Sequence, residues 1–131
     1  EIAKAKGARR AMLLPVSAPF HCTLMRPAAD VMAKALTEVT IRKPASPLVS
    51  NVLASAITEP EEIRSRLVEQ VTGTVRWRES VAYMASHGVT RFLEIGAGKV
   101  LSGLVKRIAE GAVGLSVSSP NDIDAARAFL G

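Results

Sequence analysis

One stretch of the sequence carries the residue types of acid–base chemistry: Pro15-Val16-Ser17-Ala18-Pro19-Phe20-His21-Cys22. His21 is one of two histidines, and an imidazole exchanges protons near neutral pH, as a general base must. The apolar run Ala11-Met12-Leu13-Leu14 leads into this turn, and an amphipathic segment from about Met25 to Val39 leads out. In open α/β sheets, ligands and chemistry gather at the carboxyl ends of strands. A proline on one side and a helix on the other would hold His21 at such a place. The plainer alternative is a surface-turn histidine with no chemistry. Cys22 adjoins His21, but neighbouring side chains leave the backbone in different directions, so it reads as a packed small residue rather than a dyad partner. Asn51 is a polar residue in an apolar strand, either bracing a site or buried with its hydrogen bonds satisfied. His87 ends a predicted helix and is assigned no function.

Gly96-Ala97-Gly98-Lys99 imitates a phosphate loop. The dinucleotide pattern needs a glycine where Leu101 stands. The Walker pattern needs a glycine at Leu93 and a hydroxyl at Val100. The glycines are instead expected to permit a tight strand-to-helix turn. No two histidines, cysteines or carboxylates show metal-ligand spacing, so no metal is expected.

The elements that would position these residues alternate. Glu1 to Lys6 reads as helix ended by Gly7. Arg10 to Val16 reads as a buried strand. A helix begins near Cys22 or Thr23, tolerates Pro27 in its first turn, and turns Met25, Ala29, Met32, Leu36 and Val39 inward. Leu48 to Leu53 is a short strand. Thr58 and Glu61 suggest a capping box for a helix with Ile63, Leu67 and Val71 inward. Gly73 ends it and Thr74 is placed to cap the next, lined by Trp77, Val81 and Met84. Val89 to Ile95 is a strand, Val100, Leu104 and Ile108 mark a helix, and Ala112 to Val117 is another strand. Asn121 or Asp122 caps a last helix through Leu130. Strands alternating with helices imply an α/β fold with a parallel sheet.

The 131 residues, 48% hydrophobic, suffice for one domain core. No run of about 18 apolar residues predicts a membrane span, and no secretory leader is evident. One cysteine excludes an internal disulfide and suits a reducing compartment, with cytoplasm the plain inference. The net charge of +5 invites a nucleic-acid reading. The basic residues are dispersed, only 4% are aromatic, and no zinc-finger or RNA-binding fingerprint occurs, so none is expected. A basic surface suits an acidic partner. The opening Glu1-Ile2-Ala3-Lys4 has no initiator methionine and reads as the tail of a helix, so a fragment of a longer protein is expected.

Four stretches together carry a family resemblance. Ser17-Ala18-Pro19-Phe20-His21-Cys22 resembles the histidine motif of malonyl-CoA:acyl carrier protein transacylases. Val49-Ser50-Asn51-Val52, Gln70 through Trp77, and Glu94-Ile95-Gly96-Ala97-Gly98-Lys99-Val100-Leu101 agree in order and spacing. The resemblance runs from about Gly7 to the end. It implies the C-terminal part of an α/β-hydrolase-like parallel-sheet domain. Residues 1–16 would close an inserted ferredoxin-like subdomain, and residues 17–131 would belong to the large acyltransferase domain.

In such enzymes a serine on a Gly-x-Ser-x-Gly elbow is acylated. No serine here has that setting, so the resemblance places the nucleophile in a missing N-terminal portion and leaves the isolated chain without activity. His21 matches the base, and Gln70 matches the residue whose backbone carbonyl orients it. Phe20 matches a position that selects malonyl over methylmalonyl units. The substrates implied are malonyl-CoA and the phosphopantetheine thiol of an acyl carrier protein, with no covalently bound cofactor. Thr74 and Ala97 stand where the family often has proline, and its carboxylate-pairing arginine is not in this chain. The rivals are an acyltransferase domain of a polyketide synthase, a non-catalytic nucleotide-binding module, and a carrier-docking domain.

Overall fold

The computed structural model describes residues 1–13 and 16–131. The strand expected over residues 10–16 falls partly on Leu14 and Pro15, outside the described residues. Residues 10–13 and Val16 carry no strand pairing, and Leu13 is 96% exposed. A strand needs a neighbour to satisfy its backbone, and neither described sheet reaches this segment.

α1 (Ile2–Ala5) is one turn, followed by Gly7 at φ +89. A 3₁₀ turn at Thr23–Met25 runs straight into α2 (Arg26–Thr37). Ala29 is buried, with Met25, Ala33 and Leu36 half-buried, whereas Met32 and Val39 of the expected stripe are exposed. The seam follows Ala29 because its small side chain sits where α2 lies against α3 (Pro60–Thr72). Between these helices, β1 (Leu48–Ser50) and β2 (Ser55–Ile57) form an antiparallel hairpin pairing Leu48 with Ile57 and Ser50 with Ser55. Its turn closes through Ala54, whose φ is +55 and whose amide donates to Ser50 O at 2.7 Å.

The capping box expected at α3 is not formed. Glu59 is the N-cap, Thr58 Oγ1 donates to Glu59 Oε1 at 3.3 Å, and Glu61 pairs with Arg64 at 3.4 Å. With Pro60 in the first turn one orphan amide is already gone, which lessens the need for a cap. Likewise α4 (Trp77–Ser86) starts from Arg76 rather than Thr74.

β3 (Arg91–Ile95) and β4 (Val113–Val117) are parallel, with Phe92 opposite Gly114 and Leu93 opposite Leu115. The crossover between them contains α5 (Val100–Ile108). A Cβ at Gly114 would come within 2.6 Å of Ser102 O, so only glycine lets α5 lie so close to β4. The core joins α4, α5 and β3: Val81 is fully buried and Val105 nearly so, packed with Ala109, Ala112, Trp77, Phe92 and Ile108. Val100, one of the residues that mark this helix, is 71% exposed, because α5 turns Val105 toward α4. α6 (Ile123–Leu130) closes the fold, and the Arg91 guanidinium donates to Phe129 O and Leu130 O at 3.0 and 2.8 Å. These terminal helix carbonyls have no partner within the helix. Asp122 occupies the N-cap position of α6, but its carboxylate turns back to accept from the amides of Ser118 and Ser119 at 3.0 and 2.8 Å.

A candidate acid–base site

His21 lies in the turn before α2, exposed, with φ +57. A left-handed conformation at a residue with a Cβ costs about 1–3 kcal/mol and persists only where surrounding contacts hold it. The contact here is Gln70: His21 Nδ1 is 3.0 Å from Gln70 O. The Gln70 amide nitrogen, a donor, stands 3.5 Å from the same atom, but the shorter contact is to a carbonyl, which only accepts, so the geometry favours the proton on Nδ1 with Nε2 as the acceptor.

The carbonyl is available because of how α3 ends. The last four carbonyls of a helix have no intrahelical donor. At Gly73 the chain turns extended, with φ −86 and ψ 153, and its amide bonds to Glu69 O at 2.8 Å. The carbonyl of Gln70, one residue on, is left for the imidazole. A side chain at Gly73 would bring a Cβ within 2.8 Å of Val52 Cγ2 and 3.0 Å of Glu69 O. The residue that ends the helix thus also lets the hairpin turn approach it.

The side chain of Gln70 serves a second purpose. Asn51 Nδ2 donates to Gln70 Oε1 at 3.2 Å, and Gln70 Nε2 donates to Gly73 O at 3.4 Å. Asn51 Oδ1 accepts from the amide of Arg76 at 3.1 Å, and the Arg76 guanidinium donates to Leu53 O at 3.0 Å. Asn51 is half-buried with both ends of its amide bonded. The structure therefore brings His21, Gln70 and Asn51 together, and adds Gly73, which the sequence marked only as a helix end, and Arg76, to which it gave no role. The signals for this network in the sequence were the polar Asn51 in an apolar run and the match of Gln70 to the family's orienting position.

Phe20 stands beside His21 in sequence and is 57% exposed. The Cys22 thiol donates to Pro19 O at 3.1 Å rather than to the imidazole. His87 is occupied locally, its Nδ1 2.8 Å from Tyr83 O and its ring stacked on Tyr83. The glycine turn after β3 has Gly96 at φ +139 and Gly98 at φ +106. The carboxylate of Glu94 already takes the amides of Leu101 and Ser102 at 3.2 and 2.8 Å, and the Ser102 hydroxyl at 2.7 Å. A bound phosphate would need those same donors. The amide and then the hydroxyl of Ser102 hold the Glu94 carboxyl below the usual glutamate range. Among the described residues, no group of three or more histidines, cysteines or carboxylates could hold a metal ion, and no helix is long and apolar enough to cross a membrane.

No family model matches the chain. Curated relatives do. Over 123 residues, 94% of the chain, it is 46% identical to a protein of Escherichia coli K12 named malonyl CoA-acyl carrier protein transacylase. Over 126 residues, 96% of the chain, it is 44% identical to the protein of the same name from Bacillus subtilis. A crystal structure of acyl-carrier-protein S-malonyltransferase from Bartonella henselae superposes with a TM-score of 0.87 at 48% identity, covering 99% of this chain and 42% of that one. A malonyl-transacylase solved in complex with a type II polyketide acyl carrier protein gives a TM-score of 0.83 at 42% identity, covering 94% and 40%. The chain spans about two fifths of the length of the curated relatives it matches.

Proposed function

We propose, for a chain that belongs to the malonyl CoA-acyl carrier protein transacylase family, that His21 is the general base of an acyl transfer between thiols. The single observation that carries this is the 3.0 Å contact from His21 Nδ1 to Gln70 O, which leaves Nε2 free to take a proton. The nucleophile is a serine outside these residues. As its hydroxyl attacks the thioester carbonyl, Nε2 takes the proton, and the tetrahedral adduct collapses to acyl-serine and a coenzyme A thiolate. The imidazolium then protonates that thiolate. In the second half-reaction Nε2 deprotonates the phosphopantetheine thiol of an acyl carrier protein, whose sulfur takes the acyl group. The serine oxygen leaves and recovers its proton from His21.

The names of the relatives supply the substrates: malonyl-CoA as donor and acyl carrier protein as acceptor. We place this reaction in fatty-acid synthesis in the cytoplasm. Phe20 walls the acyl site, where its ring leaves little room for an α-methyl. One methyl in a tight pocket is worth about 1–3 kcal/mol, so this biases selection without dictating it. Asn51 supports the site through the Gln70 side chain. Residues 1–16 close a small subdomain and residues 17–131 form part of the large acyltransferase domain. A second reading, transfer to a polyketide carrier protein, has the type II complex among the solved structures in its favour.

The test is a graft of this chain in place of the matching residues of the Escherichia coli relative. The graft should transfer malonyl groups, and His21→Ala should lower the rate by about 10²–10⁴-fold, the range for a positioned base. Fatty-acid and polyketide carrier proteins offered side by side decide between the acceptors. An active graft unaffected by His21→Ala would overturn the assignment.

A further inference from the structure

The turn between β1 and β2 touches the junction of α3 and α4 with three successive residues. Asn51 bonds the Gln70 side chain and the Arg76 amide. Val52 lies against Gly73, closely enough that a Cβ there would meet its Cγ2 at 2.8 Å. Leu53 offers its carbonyl to the Arg76 guanidinium at 3.0 Å. The junction runs from Gln70, whose carbonyl holds His21, to Arg76, where α4 begins. Arg76 is half-buried and is held twice, by its amide and by its side chain, to opposite ends of the same short turn. Its other partners, Glu79 on the guanidinium at 3.5 Å and the Ser80 hydroxyl and amide on its carbonyl at 2.8 and 2.9 Å, lie one turn along α4 and pull nothing toward His21.

We propose that Arg76 is a positioning residue for His21, acting through the hairpin turn, Asn51 and Gln70. This rests on reading His21 as the base. A side chain that staples the start of α4 to the turn fixes where Asn51 sits. Asn51 fixes the amide of Gln70, and with it the last turn of α3. The Gln70 carbonyl is then presented where it selects the Nδ1–H form of the imidazole. Without Arg76 the Asn51 contact to the α4 amide has no second point of support, and the carbonyl loses its fixed position.

The tautomer of each histidine can be read in the intact chain by ¹⁵N–¹H correlation of the imidazole rings. His87 is an internal control, since its Nδ1 is bonded within its own helix end. In the unaltered chain His21 should be mostly Nδ1–H. An Nε2–H His21 would overturn the reading of the base itself, before Arg76 is tested. In Arg76→Ala the Nδ1–H form of His21 should fall from majority to minority while His87 stays unchanged, and Arg76→Lys should restore the majority. Asn51→Asp keeps the acceptor for Arg76 but sets an oxygen against Gln70 Oε1, and should act like Arg76→Ala. Unchanged His21 in a folded Arg76→Ala chain would overturn the proposal and leave the base assignment standing. If Arg76→Ala does not fold, Asn51→Asp decides in the same way. Loss of both histidine signatures together in both variants would overturn it in favour of a purely structural role.

Discussion

Gly73→Ala isolates the contact that sets the end of α3. The backbone there, φ −86 and ψ 153, suits alanine, so no strain arises from the main chain. Reduced freedom of the unfolded chain would by itself stabilise the variant by about 0.4–1 kcal/mol. Against this, the new Cβ would meet Val52 Cγ2 at 2.8 Å and Glu69 O at 3.0 Å. One of these is a short branched side chain and the other is backbone, so neither yields freely. Overpacking of this kind costs about 1–3 kcal/mol. The midpoints of these ranges differ by a net loss of about 1.3 kcal/mol, measured as a lower denaturation midpoint at unchanged m-value. Because Glu69 precedes Gln70, the displacement should also lower the Nδ1–H population of His21. Adding Val52→Ala removes one clashing atom, so the two substitutions should couple by more than about 0.5 kcal/mol. Gly73→Ala at or above the stability of the parent chain, or no coupling to Val52, would refute the reasoning.

Gly114→Ala should be costlier. Its Cβ would lie 2.6 Å from Ser102 O and 2.9 Å from Ser102 Cα, so α5 must lift from β4, at about 3 kcal/mol by denaturant titration. Val81→Ala removes two methyl groups from a fully buried position and should cost about 2 kcal/mol in the same measurement. Acidification tests two carboxylates. The backbone amide of Ser102 holds the Glu94 carboxyl low, and the amides of Ser118 and Ser119 do the same for Asp122. A lowered folded-state pKa contributes stability above the ordinary carboxylate range, lost as pH falls through the lowered value. Stability should therefore decline on the acid side of that range. Glu94→Gln, which keeps an acceptor without the charge, should flatten the decline in urea titrations run as a pH series.

Local chemistry made much of the molecule legible. The β-branched and apolar runs at Arg91–Ile95 and Val113–Val117, the helix between them and the glycine turn at Gly96–Gly98 follow from spacing and backbone freedom. His21 stood out because its residue type and setting had a chemical use. The hairpin strand Ser55–Ile57 was not legible, since Ser55 and Ala56 are small and weakly β-prone and one β-branched residue, Ile57, makes a strand only when Leu48–Ser50 is beside it. The caps were also misassigned: Thr58 and Thr74 have the right residue types, yet Glu59 and Arg76 occupy the positions. At Ser119 and Asp122 a capping box does form, at the local spacing a sequence can show, but the amides of Leu101 and Ser102 take Glu94, across a turn from its own strand. Capping from a distance depends on which carboxylate the fold brings near, and sequence spacing does not report that.

The succession α3, α4, β3, α5, β4 and α6 and the singling-out of His21 were legible in the sequence alone, because each rests on local spacing and residue type. The family resemblance already pointed to the Gln70 carbonyl, 49 residues away, as the partner of His21; the tertiary structure sets that contact at 3.0 Å and alone brings Asn51, Gly73 and Arg76 around it. Those contacts join segments with no local reason to meet. They exist because burying the hairpin against α3 and α4 leaves one arrangement in which the freed helix carbonyl and the strained histidine satisfy each other.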